Sequence, residues 1–169
     1  VNFNDVNSFS HLVTGDVIFC CLGTTIQVAG SQPAYKKEDY EYPLVFATAG
    51  KQNGVKRYLI ISSLGATTNT SNFYLKTKGE IESELKNLNF DSLTILRPSM
   101  LLGDRKEFRL GEVIGKVIMT VLSFLFVGSL KKYKAIQAKV VAQAMVRQSK
   151  IETKDVTVLL SDKIQVIGQ

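Results

Sequence analysis

Tyr74 and Lys78 stand four residues apart in Tyr74-Leu-Lys-Thr-Lys78, inside a stretch whose apolar residues recur at helical spacing. Residues four apart share a helix face, so the phenol and the ammonium can approach each other. A cation beside a phenol stabilises the phenolate. Such a tyrosine can give a proton to a substrate oxygen as hydride adds to the attached carbon, or remove one in reverse. Alone the pattern is weak, because its usual meaning is a surface helix pair. Its setting is more specific. Ser62-Ser63 closes an apolar run, and the Tyr-x-x-x-Lys segment follows after residues 64–73. A serine there can hydrogen-bond a carbonyl being reduced and hold it within reach of Tyr74.

Those residues need elements to position them. Four short apolar runs, 17–22, 58–62, 92–96 and 156–160, read as strands. The first three are nearly continuous in apolar residues, the mark of strands buried on both faces of a parallel sheet. Helical spacing lies between them. Over 39–53, Tyr40, Leu44, Ala47 and Gly50 recur at three- and four-residue steps, and Asn53-Gly54 supplies the stop. Pro43 falls within the first turn or so, where proline is tolerated. Over 73–89, Tyr74, Thr77, Ile81, Leu85 and Leu88 line one side. An apolar helix is expected around 112–127 and an amphipathic one around 135–149. The alternation of strand and helix predicts an α/β fold of βαβ crossovers. Such sheets bind ligands beyond the carboxyl ends of their strands. That singles out Gly23-Thr24-Thr25, Ser63-Leu64-Gly65-Ala66 and Arg97-Pro98-Ser99, each of which also reads as a tight turn with no ligand.

Composition narrows the classes. The 169 residues suffice for one core, and no repeat or linker divides them, so 1–169 is read as a single domain. Hydrophobic residues at 45% and charged residues at 21% exclude disordered and collagen-like chains. Lys+Arg number 21 against 15 Asp+Glu, leaving +6, which suits an anionic nucleotide and equally a solvated surface. The longest apolar stretch, 117–130, is interrupted by Thr120, Ser123, Gly128 and Ser129. It falls short of the roughly 20 residues that cross a bilayer, so a buried helix and no membrane partner are expected. Cys20 and Cys21 are adjacent, and neighbours on a strand point to opposite faces, so a disulfide between them would be strained. With His11 the sole histidine, a Cys/His metal site has no material. A reducing compartment, the cytoplasm, is the expected location. Lys131-Lys-Tyr-Lys134 with Lys139 is the densest basic cluster; it reads as a solvated helix start, and nucleic acid is not the expected partner. The opening Val-Asn-Phe-Asn-Asp is polar from its second residue and carries no initiator Met, which predicts no secretory signal and a segment upstream of Val1.

Serine, tyrosine and lysine in this order on strand, loop and helix resemble the short-chain dehydrogenase/reductase superfamily. Phe19-Cys-Cys-Leu-Gly-Thr-Thr25, Ile61-Ser-Ser-Leu-Gly-Ala66, Tyr74-Leu-Lys-Thr-Lys-Gly-Glu80, Leu96-Arg-Pro-Ser-Met-Leu-Leu-Gly-Asp-Arg105 and Phe108-Arg-Leu-Gly-Glu112 sharpen the likeness. Together they resemble the atypical short-chain reductases of the Tat-interacting-protein-like group, a Rossmann-fold group that binds NADP(H). The likeness covers almost the whole chain. It implies a Rossmann-like doubly wound parallel sheet, NADP as cofactor with NAD as the alternative, and hydride transfer to or from a carbonyl or alcohol. Leu22 and Gly23 then become cofactor contacts, and Tyr74 and Lys78 the catalytic pair, with Lys78 also holding the nicotinamide ribose hydroxyls. Ser63 matches the serine that polarises the substrate carbonyl, and Ser62 a neighbour beside the cofactor. Leu101 falls at the nicotinamide end, and Arg109 where a basic cofactor contact is expected. Arg97-Pro98 reads as structural, the proline setting the chain direction after its strand.

One departure stands out. A Rossmann unit should open with a Gly-x-x-Gly-x-x-Gly turn that places a pyrophosphate at a helix N-terminus, and this sequence has none. Residues 1–5 look like the group's third strand, which implies an N-terminally truncated sheet lacking its first βαβ unit of about 50–70 residues. Two function classes follow: an NAD(P)-dependent oxidoreductase, or an NADP(H)-binding regulatory protein that keeps the fold and signals through protein partners with little turnover.

Overall fold

Val17-Ile-Phe-Cys20, Arg57-Tyr-Leu-Ile-Ile61 and Ser92-Leu-Thr-Ile-Leu-Arg97 are rich in branched and aromatic side chains that fit a pleated, buried surface. In the computed structural model, which describes residues 1–103, 128–151 and 154–169, they form β1 (Val17–Cys20), β2 (Arg57–Ile61) and β3 (Ser92–Arg97). Three helical pieces link β1 to β2: α1 (Ile26–Ala29), α2 (Gln32–Lys36) and α3 (Tyr42–Gln52). Next come α4 (Phe73–Asn87), two short strands β4 (Leu101–Leu102) and β5 (Ile136–Gln137), α5 (Ala138–Gln148), β6 (Asp155–Leu160) and α6 (Ser161–Gly168). The main sheet runs β1-β2-β3-β6, every pair parallel, with Val17 opposite Arg57, Arg57 opposite Ser92 and Ser92 opposite Asp155.

Helices cover both faces. Tyr58, Ile60, Leu93 and Ile95 pack on one side against Ala47 of α3 and Ile81 and Leu85 of α4. Leu59, Leu96 and Leu159 pack on the other against Val141, Ala144 and Met145 of α5 and Ile164 of α6. This is the predicted doubly wound Rossmann-like α/β sheet, and the period-two alternation of each strand divides its side chains between the two cores. The four strands match the runs read from sequence to within two residues. β1 stops at Cys20, which leaves Leu22 and Gly23 in the turn beyond it.

Two expectations are corrected. Residues 1–5 form no strand: the Asp5 N–H donates to the Asn2 carbonyl, and short helical turns follow at Val6–Ser8 and Ser10–Leu12. The Phe3 ring instead stacks on Tyr42 with centroids 4.6 Å apart. Apolar packing onto α3 displaces any ladder role for this segment. The second correction concerns the helix expected to start at 39. It begins at Gln32, capped by the Ser31 hydroxyl on the Ala34 N–H, and runs through a π turn at Lys37–Glu41 into α3. Pro43 therefore sits within the helical run. A proline lacks the N–H that would bond to the carbonyl four residues back, here that of Asp39, and its ring crowds that carbonyl. The wider turn absorbs this, with the Tyr42 N–H bonding to the Lys37 carbonyl five residues away. The helix expected at 112–127 lies outside the described residues. Among the described residues, no helix is long and apolar enough to cross a membrane.

Candidate functional site

The loop between β2 and α4 is built from backbone ties. Past the end of β2, the Ser62 N–H donates to the Leu96 carbonyl at 2.7 Å and the Leu64 N–H to the Pro98 carbonyl at 2.9 Å. The Asn72 side chain then caps α4 by accepting the Leu75 N–H at 3.0 Å. Inside α4, Gly79 presses directly on the Thr67–Thr68 backbone, and any Cβ there would collide with it. Helix α4 and a tightly held loop thus fix where Ser62, Ser63, Tyr74 and Lys78 stand.

A cleft of about 710 Å³ opens at the carboxyl ends of β1 and β2. Leu22, Gly23, Ser62, Tyr74, Lys78 and Leu101, six of the residues singled out from sequence, line it. Ser63 is half-buried beside Ser62 and is not among the lining residues; its hydroxyl faces the Leu64 carbonyl at 3.4 Å. Arg109 lies outside the described residues.

Lys78 is 8% exposed, and its Nζ is 2.6 Å from Oδ1 of Asp39, which is 1% exposed. The other Asp39 oxygen accepts the Thr24 N–H at 2.7 Å. Gly23 sits against the same carboxylate: a Cβ on it would lie 3.3 Å from Asp39 Oδ1 and 3.8 Å from Lys78 Nζ. Gly23 thus approaches a side chain of the protein itself. Tyr35 is fully buried beside Asp39, its ring 6.0 Å from that of Tyr74. Burial first, and the Asp39 carboxylate second, push the Tyr35 phenol far above its ordinary range, so it stays neutral.

A second ionic group braces the floor. Glu82 of α4 is 1% exposed and receives both the Ser62 hydroxyl and a two-pronged contact from the Arg97 guanidinium, whose Nε is 2.9 Å from Oε1. The Ser62 proton is therefore committed to Glu82. Asp39, Glu82 and Arg97 were not read as site residues from the sequence. The signal for Asp39 was present: Tyr35, Asp39, Pro43 and Ala47 recur every fourth residue, so a carboxylate stands on an otherwise buried stripe.

The family model for HIM1 matches residues 2–134. The chain belongs to the HIM1 family. Among curated relatives, the protein HTATIP2 of Rattus norvegicus is 39% identical over 117 residues, covering 69% of this chain and 48% of its own length. The protein "FMP52, mitochondrial" of Candida albicans is 44% identical over 110 residues, covering 64% and 48%. The chain thus spans about half the length of these relatives. The likeness to HTATIP2 agrees with the recognition made from the motifs. Solved structures share the fold. A UDP-N-acetylglucosamine 4-epimerase from Methanobrevibacter ruminantium superposes with a TM-score of 0.66 at 16% identity, over 92% of this chain and 59% of that one. MoeE5 in complex with UDP-glucose and NAD gives 0.63 at 15%, over 94% and 58%. RMD from Pseudomonas aeruginosa with NADPH gives 0.59 at 14%, over 89% and 63%. The cytoplasmic expectation is overturned by the fungal members of this set, which from Candida albicans, Coccidioides immitis and Aspergillus niger alike are named mitochondrial. Two adjacent cysteines that cannot pair with each other carry no address within the cell.

Proposed function

We propose that this HIM1-family chain carries the proton-transfer side of an NAD(P)-dependent oxidoreductase acting on a carbonyl or alcohol. The observation that supports it is the meeting of Tyr74, Lys78, Leu22 and Gly23 in one cleft at the carboxyl ends of parallel strands. Open α/β sheets bind their ligands there. The residues fit the nicotinamide-ribose end of a dinucleotide: Gly23 offers backbone without a side chain, Leu22 and Leu101 offer apolar contact, and Lys78, ion-paired to Asp39, brings an ammonium with N–H donors to the cleft. Neighbours of the same fold hold NAD or NADPH, which supports this cofactor class. When bound, the dinucleotide supplies or accepts the hydride.

The chain's own groups handle the proton. Tyr74 donates its phenolic hydrogen to the substrate oxygen during reduction and removes it during oxidation. Lys78 stabilises the phenolate so formed and binds ribose hydroxyls. Because Ser62 is committed to Glu82, Ser63 is the serine assigned to polarise the carbonyl, turning from its long contact with Leu64. Arg109 is assigned to the cofactor on family resemblance.

Steady-state kinetics on the full-length protein, with aldehydes, ketones, quinones and nucleotide sugars, test the reading. Tyr74→Phe is expected to lower turnover by about 10²–10⁴-fold, roughly 3–5 kcal/mol of barrier, while leaving dinucleotide affinity nearly intact. Wild-type turnover in Tyr74→Phe removes the tyrosine from the mechanism. Tight dinucleotide binding with no turnover on the whole panel replaces the enzyme by a nucleotide-sensing regulatory protein.

A further inference from the structure

We propose that Asp39 is the positioning residue for Lys78, locking its ammonium at the cleft and coupling it to the turn after β1. The proposal rests on the reading of Lys78 as a dinucleotide-binding group. Its geometry is independent of that reading. One carboxylate, almost wholly buried, holds Lys78 Nζ at 2.6 Å with one oxygen and the Thr24 N–H at 2.7 Å with the other. Lys78 belongs to α4 and Thr24 to the loop beyond β1, so Asp39 is the bridge between the two walls of the cleft.

The backbone explains why an aspartate can stand there. Asp39 lies on the π turn, whose widened spacing accompanies Pro43 four residues on. A lysine has a long, flexible stem and several rotamers. At 8% exposure it also loses most of its hydration. A buried counter-ion offsets part of the cost of that lost hydration and favours one rotamer. The ammonium is then held in place before any ligand arrives, which lowers the ordering cost of binding. Gly23 completes the arrangement, because its missing Cβ leaves the carboxylate room against the turn.

Asp39→Asn separates charge pairing from loop support, since the amide oxygen still accepts the Thr24 N–H. Competitive acetylation with mass-spectrometric readout, on the full-length protein without ligand, compares Lys78 with the exposed Lys56. Lys78 is expected to label far more slowly than Lys56 in the wild type. In Asp39→Asn that ratio is expected to rise about 10-fold, with NADPH binding weakened by about the same factor, and Asp39→Ala, which also strips the Thr24 N–H of its acceptor, is expected to weaken it further. Melting temperatures guard against a variant that fails to fold. The double variant Asp39→Asn with Lys78→Met leaves no charge unpaired and is expected to melt above Asp39→Asn. An Asn variant with wild-type labelling and wild-type NADPH affinity overturns the proposal, as does a double variant that melts no higher than the single. If the wild type binds no dinucleotide, the proposed function fails, and labelling and melting still decide the role of Asp39.

Discussion

Cys20 and Cys21 are chain neighbours in different surroundings. Cys20 ends β1 buried, and desolvation pushes its thiol above the ordinary range against the smaller lowering effects of Tyr58, Leu22 and Lys78. Cys21 is exposed, yet it too is raised, first by partial desolvation and then by Cys20. A raised thiol holds less thiolate at any given pH, and thiolate is the nucleophile. Iodoacetamide at pH 8 is therefore expected to label Cys21 more slowly than a free model thiol and to leave Cys20 unlabelled in the native state. Both rates rise with pH. Peptide mass spectrometry checks this, and native Cys20 labelling as fast as a model thiol contradicts it. Because Cys21 lines the cleft, slower labelling in the presence of NADPH also reports what occupies that space.

At the scale of elements, the junction of β2, β3 and α4 braces one wall of the cleft. Arg97 at the end of β3 reaches Glu82 of α4, and Glu82 in turn receives Ser62 from the end of β2. Three elements thus meet on one buried carboxylate. Truncating Arg97 to Ala leaves that carboxylate without its cation, and breaking a buried pair by removing one partner costs about 3–5 kcal/mol. Arg97 is itself partly exposed, at 23% of its side chain, so a loss near 3 kcal/mol in urea denaturation is expected, the low end of that range. A loss under about 1 kcal/mol places the pair among ordinary screened surface pairs. Gly79 shows the same dependence on close contact, since its Cα rests on the loop that presents Ser63.

For the molecule as a whole, the cleft offers Lys78, Gly23 and apolar walls, but the sequence holds no glycine-rich turn for a pyrophosphate. Helix N-termini with close glycine turns supply much of the anchoring of dinucleotides. Calorimetry on the 169-residue polypeptide is therefore expected to find dinucleotide binding very weak or absent. Micromolar affinity refutes that expectation and shifts the anchoring to residues of this chain, among which Lys78 is the first to substitute.

The sequence by itself determined the parallel sheet, its four strands, the helix bearing Tyr74 and Lys78, and the strand ends that line the cleft. Those features rest on local periodicity and composition, which neighbouring residues encode directly. Only the tertiary structure decided what Lys78 touches. Tyr74 and Lys78 share a helix face, yet the lysine's ion-pair partner comes from a π turn in another helix, 39 positions earlier by number. Periodicity states which face is buried but not which element will cover it, so the partners of Lys78, Ser62 and Arg97 stayed hidden until α3, α4 and the strands packed. The start of the first long helix was hidden for a related reason. Residues 32–38 show no apolar stripe of their own, and the cap at Ser31 and the wide turn before Pro43 come from hydrogen bonding. Lastly, Ser62 and Ser63 are equivalent as letters; the buried Glu82 beside one of them is what distinguishes their chemistry.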